Sequence, residues 1–191
     1  MRMRTERLEL VAATLDHIEA EMESPERLGR LLGADVPASW PPGEYDRSAM
    51  EFFHARLSEN PGAAGWYGWY AIHHPENGAG AAAVIGAGGY LGPPGPDGVV
   101  EIGYSIAPEF HARAFATELV RALTARAFAA AAAVGAVVVR VIAHTNETNA
   151  ASKKVLERCG FAPAGPADGE GTVEYEILRP AAEPLSEVAT A

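Results

Sequence analysis

Three groups of residues in this 191-residue chain have the types and spacing that chemistry requires. The first is the turn His111, Ala112, Arg113, Ala114, which leads through Phe115, Ala116 and Thr117 into an apolar run with helical spacing. A helix that opens where a strand ends presents unpaired N–H groups and the positive end of its dipole, so it can hold phosphate oxygens without a lysine. Small residues let a pyrophosphate touch backbone, and Ala112, Ala114 and Ala116 alternate through this turn. The second group is Glu101, at the start of the preceding strand, a candidate general base acting directly or through water. Its ordinary pKa of about 4.3 calls for burial or a relay near neutrality. A solvated strand-edge carboxylate or an ion-pair partner is the equally weighted alternative. The third is Asn149 with Ser152: the asparagine is a good helix cap, and the serine hydroxyl is either a proton donor or a local hydrogen-bonding group.

Other motifs carry less. His73-His74 has no third histidine or spaced carboxylate beside it, so a metal site is not expected. Gly86-Ala87-Gly88-Gly89 is followed by no helical pattern and reads as a bulged strand rather than a nucleotide loop.

The elements that must position these residues follow from periodicity. A strand is expected at 7–13, a helix capped by Thr14 to about Met22, and a second short helix after Ser24-Pro25-Glu26. Residues 36–45, rich in proline around Trp40, form a loop with an aromatic anchor, and 46–57 resumes helical spacing. Strands at 66–72, 82–91 and 99–106 form an antiparallel meander. A long helix follows over 115–134, with Leu119, Leu123 and Ala127 on its inner stripe and Gly135 stopping it. The nearly all-apolar run 136–142 predicts a strand buried on both faces in a parallel crossover. A helix over 149–159 and a last strand over 172–178 complete the pattern, with a frayed tail from Pro180.

Composition narrows the class. Hydrophobic residues make up 48% and charged residues 21%, the balance of a globular protein, and the length suits one domain over 1–180 with a flexible tail over 181–191. The net charge of -10 disfavours nucleic-acid and membrane partners. No apolar run approaches a bilayer span, the charged start lacks the stretch of a secretory signal, and Cys159 is the single cysteine. A cytoplasmic location fits best.

Val100-Glu101-Ile102-Gly103-Tyr104-Ser105-Ile106, Pro108-Glu109-Phe110 and the run from His111 to Glu118 resemble the central motif of GNAT acetyltransferases. Asn149-Ala150-Ala151-Ser152 with Val155 to Phe161 resembles that family's Asn-x-x-Ser…Gly-Phe signature. With the opening Thr5-Glu6-Arg7-Leu8-Glu9-Leu10, the chain is most similar to the ribosomal-protein alanine N-acetyltransferase (RimJ/RimL-type) branch, over about 5–179. The resemblance implies an α+β fold: a mixed, mostly antiparallel twisted sheet of about six to seven strands, flanked by about four helices, with a parallel strand pair splayed at the cofactor site. It implies acetyl-CoA as acyl donor, no metal, and a primary amine, either a small molecule or a protein N-terminus, as acceptor. A homodimer stays open. So does a degenerate member that binds acyl-CoA, or nothing, as a sensor or interaction module.

Within that resemblance, the cofactor would be met by backbone N–H groups near Ser105 and Ile106, by the run His111 to Thr117, and by Asn149 and Ser152. Trp40 and Tyr104 are the candidates for acceptor contact, Tyr104 weighted towards packing. The family's phosphate loop usually carries Arg or Gln, then Gly, then Gly or Ala, where this chain has His111, Ala114 and Ala116. An alanine at 114 is expected to keep φ below zero, as the first turn of a helix would allow. Leu156 stands where many members have a tyrosine that protonates the departing thiolate, and Ser152 matches the serine of the branch that lacks it.

Overall fold

The computed structural model describes residues 1–43, 45–75, 80–133 and 137–180. Eight strands and five α-helices occur among them: β1 (Arg2–Arg4), β2 (Leu8–Ala12), α1 (Leu15–Glu23), α2 (Pro25–Leu32), α3 (Arg47–Glu59), β3 (Gly68–His73), β4 (Ala83–Tyr90), β5 (Val99–Ile106), α4 (Phe115–Ala133), β6 (Arg140–Asn146), α5 (Ala150–Arg158), β7 (Ala162–Pro163) and β8 (Thr172–Leu178). They form one mixed sheet in the order β1-β2-β3-β4-β5-β6-β8-β7, in which only the β5–β6 pair is parallel. This is the α+β architecture the motifs imply, with one strand and one helix more than expected.

Local chemistry starts the helices where the sequence places them. Thr14 caps α1, and the His17 ring completes the capping box by accepting the Thr14 N–H at 3.2 Å. Ser24 caps α2 with Pro25 in its first turn and Gly33 in left-handed backbone after its end. Asp46 and Asn149 cap α3 and α5, each accepting an amide three residues on.

The core lies on both sides of the sheet. On one face α4 and α5 cover Leu10, Ile85, Val100, Ile102 and Val141, with Leu119, Leu123 and Ala127 of α4 fully buried as the stripe predicts. On the other, α1 to α3 cover Val11, Tyr70, Ile72, Val84 and Ala87. That second layer spans β2 to β4 only. The same face of β5, β6 and β8 carries Glu101, Ile142, His144, Glu174 and Glu176, which are half-buried or exposed.

This uneven cover corrects one expectation. The apolar run 136–142 was expected as a strand buried on both faces; β6 instead begins at Arg140, and Val137 and Val139 are 58% and 45% exposed. The alternating burial of β6 follows from a sheet packed on one face there. The expected stop at Gly135 and the tail 181–191 lie outside the described residues. No helix among the described residues is long and apolar enough to cross a membrane.

Candidate active site

Strands β5 and β6 pair only at Val99–Arg140, Val100–Val141 and Glu101–Ile142, although β5 continues to Ile106 and β6 to Asn146. Beyond Glu101 the two strands part. The bonds Leu91 N–H to Glu101 carbonyl (3.1 Å) and Ala107 N–H to Ile85 carbonyl (2.8 Å) fix the alternation of the β4–β5 ladder. Residues 101, 103, 105 and 107 therefore exchange bonds with β4, while the Ile106 amide and carbonyl face the opening. The Ser105 amide, expected to serve the opening, is spent in the ladder.

Both helices that follow these strands begin at this end of the sheet. In α4 the first intrahelical bond runs from Glu118 N–H to the Ala114 carbonyl, so the amides of Phe115, Ala116 and Thr117 precede it. Residues 111–114 before them are exposed. Ala112 and Ala114 have φ of 59° and 61°. This corrects the expectation of negative φ at Ala114: the turn uses left-handed backbone at two alanines, where a Cβ costs about 1–2 kcal/mol each. What holds it is a network at its rim. Glu118 accepts from the Thr5 hydroxyl (2.5 Å), the Arg7 amide (2.7 Å) and the Arg7 guanidinium (2.8 Å), and Arg7 also donates to the Arg113 carbonyl at 2.9 Å. Burial pushes the Glu118 carboxyl up, but these donors bring it below its ordinary value. The Arg7 and Arg113 guanidiniums lie 4.6 Å and 4.8 Å from the Phe115 ring centre, and His73 packs its ring 5.0 Å from the same centre. Arg7 is thus neutralised by Glu118, and Arg113 lies in the exposed turn itself.

His111, though exposed, folds its ring back on β5. Its Nε2–H donates to the Ile106 carbonyl at 2.7 Å, which sets its tautomer and aims the ring at β5 rather than outward. Across the opening, the Tyr104 hydroxyl lies 2.9 Å from Ser152 Oγ and donates to the Ser152 carbonyl at 3.2 Å, so it spans from β5 to the first turn of α5. The Asn149 side chain accepts the Ser152 amide at 3.0 Å and acts as the cap.

On the opposite face of β5, Glu101 Oε1 is 2.8 Å from His144 Nδ1, and His144 Nε2 is 3.4 Å from Glu174. The hydrogen bond to Glu101 raises the His144 pKa, and the Glu101 and Glu174 charges add to it. The apolar run that marks this strand in the sequence stops at Ile142, two residues short of His144, which the fold places beside Glu101.

A cavity of about 380 Å³ sits between α3 and the β4–β5 floor on this same face, lined by Tyr45, Phe52, Phe53, Gly103 and Ser105 among others. Trp40, expected to contact an acceptor, does not line it. It is 8% exposed and donates its Nε1–H to Glu21 at 2.7 Å. Tyr45 and Tyr70 donate to the other Glu21 oxygen at 2.8 Å and 2.6 Å. Burial raises the Glu21 carboxyl against the pull of these donors. Trp40 is thus a strut that fixes the loop before α3, and it is Tyr45 that reaches the cavity wall. A wider cavity of about 540 Å³ beside α2 contains none of the candidate residues. His73 and His74 do not come together on a metal: His74 bonds Glu9 at 2.9 Å while His73 faces Phe115.

A family model described as "Acetyltransferase (GNAT) domain" matches residues 7–162. Among curated proteins, the "Uncharacterized N-acetyltransferase YjdG" of Bacillus subtilis (strain 168) is 24% identical over 159 residues, 83% of this chain and 88% of its own. The solved ribosomal-protein-S5-alanine acetyltransferase of Vibrio fischeri is similar in fold, with a TM-score of 0.64 at 18% identity, covering 96% of this chain and 100% of its own. Microcin C7 self immunity acetyltransferase MccE, solved in complex with acetyl-CoA and AMP, gives a TM-score of 0.57 at 14% identity, over 92% of this chain and 94% of its own.

Proposed function

The chain belongs to the GNAT acetyltransferase domain family, and from that premise we propose that it transfers the acetyl group of acetyl-CoA to a primary amine, by direct attack in a ternary complex. The observation that carries this reading is the parting of β5 from β6 beyond Glu101, with the starts of α4 and α5 at its mouth.

The residues present fit the donor. The amides of Phe115, Ala116 and Thr117, backed by the helix dipole and by Arg113 in the exposed turn, suit a pyrophosphate. His111, Ala112 and Ala114 shape the exposed turn that it would cross. Acetyl-CoA supplies the thioester; the chain orients it and handles protons. The Ile106 amide, aimed into the opening, is placed to stabilise a developing oxyanion. On the α5 side, the hydroxyl pair of Tyr104 and Ser152 can deliver a proton to a thiolate, taking the part that Leu156 cannot. Asn149 holds the Ser152 amide and so positions that hydroxyl. On the cavity side, Glu101 can accept the proton of an attacking amine, directly or through water. His144, whose pKa is raised by its hydrogen bond to Glu101 and by the Glu101 and Glu174 charges, holds that carboxylate in place at 2.8 Å. Alternation along β5 thus puts the proposed base and the proposed acid on opposite sides of one strand. The amine acceptor is a protein N-terminus or a small molecule.

The test is release of thiol from acetyl-CoA across a panel of amines. The wild type is expected to turn over. Ser152→Ala should lower kcat about 10²-fold, in the range for general acid–base groups, with the KM for acetyl-CoA little changed. The folded-back His111 and the two left-handed alanines favour a second reading, a binding module without catalysis. Calorimetric binding of acetyl-CoA with no thiol release on any amine would replace the first reading by the second.

A further inference from the structure

The cavity beside β5 has a distinct chemistry. Its lining contains no Asp, Glu, Lys, Arg or His. Its wall is aromatic: Phe52 and Phe53 lie 5.6 Å apart between ring centres, and Tyr45 lies 6.3 Å from Phe53. The Tyr45 ring is fixed in place because its hydroxyl is held by buried Glu21. The floor is bare at Gly103, where an added Cβ would meet nothing within 4 Å. The cavity ends against Ser105, whose Oγ lies close under Gly43, and Ser105 precedes the Ile106 amide that faces the opening. Glu101 lies two residues before Gly103 on the same face, about 7 Å by strand rise, and four before Ser105, about 13 Å.

A group held here would lie with one end near the proposed chemistry and its body among apolar carbon. A second ammonium, as in a polyamine, would find no counter-charge in the lining and gains less here than an apolar body does. An aryl or branched alkyl body would fill the space and leave water.

We propose that the acceptor is a primary amine carrying a ring-sized apolar substituent, which occupies the space over Gly103 between Tyr45, Phe52 and Phe53. The assignment rests on the acetyl-transfer reading above. Gly103 is the selector, since any side chain there would take the volume of the substituent.

The experiment measures kcat/KM by thiol release for 2-phenylethylamine, hexylamine, ethylamine, spermidine and short peptides beginning with Phe or Ala, after acetyl-CoA binding is measured for each variant. The wild type should prefer 2-phenylethylamine over spermidine and over ethylamine by at least tenfold. Gly103→Val should collapse the phenylethylamine-to-ethylamine ratio at least tenfold while acetyl-CoA binds as before. Valine suits a strand and its Cβ enters open space, so the fold should survive. Should that variant misfold, Phe52→Ala, at a partly exposed helix position, must lower the same ratio. A preference for the Phe peptide over the Ala peptide would keep the substituent and assign its source to a chain terminus; preference for the free amine assigns a small molecule. Spermidine as the preferred acceptor, or a ratio indifferent to both substitutions, overturns the substituent assignment and leaves acetyl transfer standing. Failure of the wild type to bind acetyl-CoA removes both.

Discussion

Replacing the two left-handed alanines before α4 by glycine should make the protein more stable, against the usual direction of such a change. Ala112 and Ala114 have φ of 59° and 61° in a turn that no glycine relieves. Left-handed backbone costs an alanine about 1–2 kcal/mol. Glycine escapes that cost but returns about 0.4–1 kcal/mol through the greater freedom of its unfolded chain. The net gain is about 0.5–1 kcal/mol per site, or about 1–2 kcal/mol for the pair if the neighbouring sites add. In a domain of this size each kcal/mol moves the melting midpoint by about 2–4 °C, so the double variant should melt about 2–8 °C higher. Ala116→Gly is the internal control. It lies in α4, where glycine costs about 1 kcal/mol, and should melt about 2–4 °C lower. The assay is calorimetric melting of the two single variants, the double variant and the control at one pH. If Ala112→Gly and Ala114→Gly both fall as the control does, the turn is not left-handed, and the shape proposed for the phosphate site is wrong.

Four further outcomes follow from the buried and paired groups. Glu21→Ala leaves the donors of Trp40, Tyr45 and Tyr70 in a dry cluster and should cost about 3 kcal/mol or more by urea unfolding. Glu21→Gln should be milder. Because the folded carboxyl titrates above its ordinary value, Glu21 contributes most below that value and loses the contribution as pH rises through the folded one, so the Gln variant's deficit should shrink from pH 4 to pH 8. For His144 the folded pKa is also raised, so its pairing with Glu101 stabilises below the ordinary histidine value and fades as pH climbs through the higher folded one. Glu101→Gln should therefore cost about 0.5 kcal/mol at pH 6, discounted for the exposure of both groups, and nearly nothing at pH 9. His111→Arg should tighten acetyl-CoA several-fold, by about 1 kcal/mol, with the gain lost at high salt.

Where local chemistry decides structure, the sequence was readable. Thr14, Ser24 with Pro25, Asp46 and Asn149 each start the helix that their side chains cap, and the α4 stripe packs as its spacing predicts. The Val99–Ile106 strand was located to the residue because turn residues bound it. What escaped depends on partners distant in sequence. β1 is three residues long and exists by pairing with β2. The start of β6 is set by its register on β5 and by the helix layer that stops short of that face, neither of which is written in an apolar run. Alanine in left-handed backbone runs against its own propensity and is held by Arg7 and Glu118, about a hundred residues apart in the chain. Trp40 looked like a pocket residue because its partner, Glu21, belongs to a residue type seldom buried.

The central claim is that acetyl-CoA enters between β5 and β6 and rests on the start of α4. Amide chemical shifts of the assigned protein titrated with acetyl-CoA test it most directly. The account predicts saturable shifts at Ile106, Phe115, Ala116, Thr117 and Ser152, with little change around the cavity beside α2. A spectrum unmoved at millimolar acetyl-CoA, or shifts confined to the α2 side, would contradict it.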